Sequence, residues 1–389
     1  MRFPNRTHKS QIDFSHNALF SLNESKGMLL PEDERIDIAK LASVFSDTTN
    51  SYKFYWLLAI LDSLRENGRT RIAMRDLSIR MIASVWYPLD YFKLSFGRQD
   101  SFKLIADFVS DRMAIDNGPM APGLVDQLRS GLSESDLITL YGKVGNLLRF
   151  VPYRFIRPFF AQEIRAIPDY QVNVRLVELA NQSSKAPYRF IGDDIELTQD
   201  WFTYLNQHQA ILRGYTQWHL VRFLQKHNPN VIGLTEKLER PGVRILTTAS
   251  KFWKTYLVAN PNLTCIYSRQ LINQANLSLD HFLPWSYVAH DQLWNIIPTP
   301  KAVNSRKNDW LPSIDLYFNA YAWLQYQGFQ FHAINGNHKL LEDYHLFFAQ
   351  SLDSLRDQPF DWFRERLERQ IIPHVQTAQN LGFPYPFKI

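Results

Sequence analysis

The stretch Ser278 to Pro312, SLDHFLPWSYVAHDQLWNIIPTPKAVNSRKNDWLP, decides how the chain is to be read. Leu277, Leu279, His281 and Leu283 alternate with Ser278, Asp280 and Phe282 until Pro284, which is the period of a strand stopped by a proline. Trp285 to Asp291 reads as a loop, and Gln292 to Pro298 as a second short strand rich in aromatic and β-branched residues. The two pair as a hairpin. Thr299 suits an N-cap and Pro300 a first helical position, and Lys301 to Asn308 holds no breaker, so a helix follows directly. On that helix Asn304, Lys307 and Asn308 share a face. The unit is strand, loop, strand, helix.

Its side chains suit one chemistry. Hydrolysing a phosphodiester requires a water to be activated and charge on the phosphate and departing oxygen to be offset, for which a hard divalent cation with oxygen ligands is the usual device. A carboxylate and an amide oxygen can hold Mg²⁺ and leave coordination positions open. A neutral imidazole, with an unperturbed pKa of ~6.5, can take the water's proton. Asp280, Asn304 and His281 supply these three groups. Strict alternation points Asp280 and His281 to opposite faces, so their convergence requires a bend or twist near Pro284. Singly, a strand histidine reads as a hydrogen-bonded packing residue and a helical asparagine as solvated. Their joint occurrence in this context outweighs both readings.

With those residues quoted, the stretch resembles the HNH endonucleases, the ββα-metal nucleases. Asp280-His281, then Asn295, then Asn304-x-x-Lys307 has the order and spacing of the HNH domain of RNA-guided CRISPR effector nucleases, which also carry Asn at the third position. The resemblance implies that Asp280 and Asn304 bind one Mg²⁺, for which Mn²⁺ can substitute, and that His281 is the general base. It implies that Asn295 orients the active-site loop and that Lys307 sits near a phosphate. Many HNH domains also carry a structural zinc on two C-x-x-C pairs. Here Cys265 is followed by Ser268, and the second pair falls at Pro300 and Val303, so no zinc knuckle is expected. Packing by Trp285, Trp294, Ile296 and Ile297 must hold the hairpin instead.

Outward from this unit the chain reads as mainly helical, α+β overall. With 389 residues, 45% of them apolar, it is long enough for two or three domains. A net charge of +5 permits a polyanionic partner without demanding one. One cysteine excludes internal disulfides and suits a reducing compartment. Without a long apolar run or a signal-peptide core, a cytoplasmic protein with no membrane partner is expected.

Residues 1–28 are expected to form a loosely held basic arm. Residues 29–241 form a mostly helical domain with a small β insertion at 188–197, 242–330 the nuclease module, and 331–389 a helical segment packing on the rest. Pro241-Gly242 marks the boundary. Helices are expected at Arg35–Phe45, Ser51–Asn67, Ala73–Trp86, Ser101–Met113, Leu124–Leu132, Ser133–Phe150 and Asp200–Lys226, then at Ala249–Leu257, Ile314–Tyr326, Tyr344–Leu355 and Trp362–Gln370. In LLRFVPYRFIRPFF, Arg149, Arg154 and Arg157 alternate with aromatics, which reads first as a core with snorkelling arginines and second as a nucleic-acid surface. His219, beside Trp218, reads as packing.

Lys251, Lys254, Lys301, Arg306 and Lys307 offer a phosphate-facing patch, with solvated charge as the bland alternative. The expected function is Mg²⁺-dependent cleavage of DNA, with a bacterial restriction or defence role among the expectations. A non-catalytic nucleic-acid or protein-interaction module of the same fold is the alternative. One such site cuts one strand, so a double-strand break requires self-association, a second event or a partner protein.

Overall fold

A computed structural model describes residues 30–98, 100–117, 121–242 and 244–389. The expected arm, 1–28, and the Gly118-Pro119 break lie outside the described residues. The remainder is mainly helical with two small sheets.

The N-terminal half is built on one apolar helix. After α1 (Ile38–Ser43) comes α2 (Tyr52–Asn67), in which Trp56, Ala59, Ile60 and Leu61 are wholly buried. This helix is apolar nearly all round, so it takes the centre of its core. It stops at Gly68, whose φ of +58° is open to glycine without strain and whose N–H caps the Leu64 carbonyl at 2.9 Å. Strand β1 (Arg71–Ala73) leads into α3 (Met74–Trp86), which packs along α2.

Then come α4 (Phe102–Ser110), α5 (Leu124–Gly131), α6 (Glu134–Leu148), α7 (Val151–Ile156) and α8 (Asp169–Gln182). Ser133 caps α6 with its hydroxyl on the Asp136 N–H at 3.1 Å. The expected hairpin is present as β2 (Tyr188–Ile191) and β3 (Asp194–Leu197), turning at Gly192 and Asp193. Its third strand, β1, was not expected. It pairs antiparallel to β3 with Ile72 opposite Ile195, giving the order β1-β3-β2. Tyr188 locks the sheet to the helices by accepting from Trp56 Nε1 at 3.1 Å and donating to the Pro152 carbonyl at 2.5 Å.

The expected helix Asp200–Lys226 is two, α9 (Gln199–Gln207) and α10 (Gln209–His227), broken at His208. His219 packs on Phe45 and Tyr215, ring centroids 5.5 and 4.5 Å away.

Beyond Pro241 the elements are α11 (Thr247–Ala259), β4 (Leu277–His281), α12 (Trp285–Val288), β5 (Ile296–Pro300) and α13 (Lys301–Lys307). There follow α14 (Ile314–Ile334), α15 (Glu342–Phe348), α16 (Leu352–Arg356) and α17 (Phe360–Asn380). Buried apolar residues form two clusters, one drawn from 30–238 plus Ala289 and one from 249–387. In the second, α11 and α14 grip the β4–β5 hairpin. Trp253 Nε1 donates to the Ile296 carbonyl at 3.0 Å, Gln325 Nε2 to the same carbonyl at 2.9 Å, and Phe282 stacks on Tyr321 at 3.8 Å.

Ile296 and Ile297 are wholly buried in that cluster, and Trp294 nearly so. Trp285 behaves otherwise. It starts the short helix α12 where a loop was expected, and its ring lies 6.2 Å from Phe92 against the N-terminal core.

Candidate active site

β4 and β5 pair antiparallel with Asp280 opposite Ile297 and His281 opposite Ile296. α13 begins at Lys301, straight after β5, with Pro300 as N-cap and Thr299 still in the strand, one residue later than expected. Asp280, His281 and Asn304 all line one small polar pocket of about 170 Å³. The two strand residues reach the same pocket because His281 is the last residue of β4, where the chain leaves the sheet towards Pro284.

Asp280 is 3% exposed and held from two sides. Tyr267 donates its hydroxyl to Oδ2 at 3.2 Å, and Lys307 Nζ donates to Oδ1 at 3.2 Å and to the His281 carbonyl at 2.7 Å. Burial pushes the Asp280 carboxyl above its ordinary value, opposed by Lys307 and His281. Burial, with the Asp280 charge added, pushes the Tyr267 hydroxyl well up, so the phenol stays a donor.

His281, 5% exposed, pairs through Nε2 with Asp291 Oδ1 at 2.9 Å. Burial works against the Asp291 charge, but the His281 hydrogen bond and charge, the Ile245 N–H and Arg244 together outweigh it and hold the carboxyl below its ordinary value. An ionised Asp291 can only accept, so His281 donates to it from Nε2, and a ring in its neutral form carries the lone pair on Nδ1. Among the described residues Nδ1 has no protein partner.

Asn304 donates Nδ2 to Ser278 Oγ at 2.8 Å and to the Leu279 carbonyl at 3.0 Å, which fixes the amide and leaves Oδ1 accepting from no protein donor among the described residues. Asn308, also on the pocket wall, has φ +42°, the left-handed side that a non-glycine residue adopts at a cost.

Asn295 is wholly buried and touches no part of the pocket. Its Oδ1 accepts from Leu283 N at 2.8 Å, its Nδ2 donates to Leu283 O at 2.9 Å, and its own carbonyl accepts from Phe282 N at 2.7 Å. It pins the segment that follows His281.

Lys307 corrects an expectation. It is wholly buried as the Asp280 counter-ion and faces no phosphate, because Asp280 beneath the hairpin needs a compensating charge. Lys301 and Arg306 on the same helix are exposed, as are Lys251 and Lys254. The pocket's own cation is Arg244, exposed on its wall 5.1 Å from the Trp285 ring. Arg244, Asp291 and Tyr267 were not singled out in the sequence. Only Asp291 left a trace there, as an acidic residue in the loop ten positions after His281.

The donor set suits a hard cation. It offers a carboxylate with spare lone pairs, an unpartnered amide oxygen and a polar pocket reached by both. Among the described residues no three His, Cys, Asp or Glu side chains converge as a metal cluster, and beside Asp280 the pocket offers the Asn304 amide. Residues 265–313 match the family model described as HNH endonuclease. This segment is similar to the HNH endonuclease family. The HNH family is one of nucleases, which generally use a divalent metal, and its match implies a nucleic-acid substrate.

Where the zinc knuckle of other HNH modules would begin, Cys265 is buried, its N–H donating to the Gln270 carbonyl at 2.8 Å. The C-terminal tail closes this end of the HNH module, with Phe387 N donating to the Leu311 carbonyl at 2.7 Å and its ring set edge-on to Tyr267. Among the described residues no helix is long and apolar enough to cross a membrane. Comparison with curated proteins and with solved structures returned no match.

Proposed function

We propose that the chain hydrolyses DNA phosphodiester bonds through the HNH module, with Mg²⁺ or Mn²⁺. The observation that carries this reading is the joint opening of Asp280, His281 and Asn304 onto one polar pocket, with His281 Nε2 paired to Asp291 and Nδ1 left without a protein partner among the described residues. Asp280 and Asn304 would hold a divalent cation, which would supply charge neutralisation on the phosphate and the departing oxygen.

The remaining work falls to the chain. His281 Nδ1 takes a proton from the attacking water, and Asp291 stabilises the imidazolium that results. Water oxygen bonds to phosphorus, the bond to the 3′ oxygen breaks, and that oxygen takes a proton from solvent, leaving a 5′-phosphate and a 3′-hydroxyl end. Arg244 draws the backbone phosphate to the pocket mouth, the part first assigned to Lys307. We place the boundary between the helical N-terminal domain and the HNH module near Pro241-Gly242, beside the point where the two buried clusters divide.

Binding without cutting is the second reading, favoured by Lys307, whose ammonium already neutralises Asp280. Incubating supercoiled plasmid with the protein and Mg²⁺ or Mn²⁺ separates the two. Nicking that His281→Ala abolishes while filter binding is retained supports hydrolysis. No nicking with either metal, and an alanine variant indistinguishable from wild type, supports binding alone.

A further inference from the structure

The arginine–aromatic run that the HNH module does not use borders a cavity of about 510 Å³ in the N-terminal half, between the turn 43–53 and the segment 146–167. We propose that this cavity binds a nucleotide, its phosphates on Lys53, Arg154, Arg157 and Arg165 and its base on Phe150.

Charge argues for the phosphates. Four basic side chains line the cavity and Asp47 is its one carboxylate. Arg154 and Arg165 have no carboxylate partner among the described residues, and Arg157 has only the exposed Asp169 at 3.5 Å. Lys53 is anchored, donating to the Val44 and Asp47 carbonyls at 3.1 and 2.9 Å, so its ammonium cannot turn away. Burial, and to a smaller extent the nearby Arg154 and Arg157, lower the Lys53 pKa against the pull of Asp47. Such a concentration of fixed positive charge is relieved by a polyanion.

The aromatic side argues for a base. Phe155, Phe159 and Phe160 of the same run are buried, as the core reading expects, but Phe150 is 43% exposed. The Arg149 and Arg154 guanidiniums lie over its ring, 5.6 and 5.1 Å from the centroid, so ring and cations together form a planar, positively charged stacking surface. Thr48, Thr49 and Asn50 on the opposite wall offer short polar groups to a sugar. The volume falls in the ~300–1,000 Å³ range of small-molecule sites, which favours a mononucleotide over a strand of nucleic acid. All lining residues belong to the N-terminal half, so the site is separate from the HNH pocket.

Isothermal titration of the full chain with ATP, GTP, CTP, UTP, the four monophosphates and inorganic tripolyphosphate tests this, with a twelve-nucleotide single strand as competitor. Saturable binding of at least one nucleotide is expected. Arg154→Ala with Arg157→Ala should weaken it by roughly tenfold or more, and Phe150→Ala by about fivefold or more for the nucleotide but not for tripolyphosphate. These side chains are exposed, so the variants should fold, and circular dichroism checks that they do. The proposal is overturned if no nucleotide binds, if the variants bind within about twofold of wild type, or if the single strand binds more tightly through the same residues.

Discussion

Removing Lys307 tests the interior of the HNH site most sharply. Its Nζ lies 3.2 Å from Asp280 Oδ1 with both side chains buried, so at an effective dielectric of ~20 their attraction is about 5 kcal/mol before desolvation is counted. Breaking such a pair from one side leaves a buried, uncompensated charge and costs about 3–5 kcal/mol, whereas replacing both partners costs much less. Lys307→Met should therefore destabilise the protein by about 3 kcal/mol, and Asp280→Asn with Lys307→Met should recover most of that loss.

A divalent cation on Asp280 can replace the missing ammonium. Millimolar Mg²⁺ should thus raise the melting temperature of Lys307→Met by more than it raises that of wild type. Differential scanning calorimetry of the two variants and wild type, with Mg²⁺ and with EDTA, reads all of these terms. A cost below about 1 kcal/mol for Lys307→Met, or a double variant no better than the single one, would refute the reasoning.

Asn295→Ala strips both partners from the buried Leu283 peptide groups and should cost about 3 kcal/mol in urea denaturation; a loss under ~1 kcal/mol would mean that water or a neighbour replaces them. Asp291→Asn should lower the plasmid-nicking kcat by about 10–100-fold with KM little changed, since it loosens the His281 tautomer without touching the phosphate; an unchanged kcat would remove Asp291 from the account. Lys237 is wholly buried, donates to the Ile232 carbonyl, and is pushed down to about 7 by burial. Its folded pKa lies below the unfolded value, so the unfolded chain holds the extra proton between about 7 and 10.5, and stability should rise with pH across that window by a few kcal/mol at most. Lys237→Met should flatten that rise in thermal melts, and an unaltered pH profile would show the group to be neutralised otherwise.

The two strands and the helix of the HNH module were legible because they lie close in sequence and obey local rules. Alternation ended by Pro284, a second strand ended by prolines, and a helix free of breakers fixed β4, β5 and α13 to within a few residues. What local rules could not give was depth. Lys307 and Arg306 are neighbours on one helix, yet one is wholly buried and the other exposed, because only Lys307 lies over the Asp280 carboxylate.

Arg244 and Tyr267 reach the site by tertiary packing from outside the motif, with no periodicity to flag them. The same limit explains β1, three residues whose strand character comes from the edge of β3 that it pairs with. It also explains the break at His208, where α9 and α10 divide a pattern that reads as one helix. In the arginine–aromatic run the core reading holds for Phe155, while Phe150 and Arg154 face a cavity.

The central claim is that Asp280 and Asn304 hold one hard cation beside His281. Crystals of the full chain soaked in MnCl₂, with data collected at the manganese absorption edge, address it without an activity assay. A single anomalous peak within about 2.0–2.3 Å of an Asp280 carboxylate oxygen and Asn304 Oδ1 is the expected result. Density with no peak there, in crystals where His281 still pairs with Asp291 and Lys307 with Asp280, would contradict it.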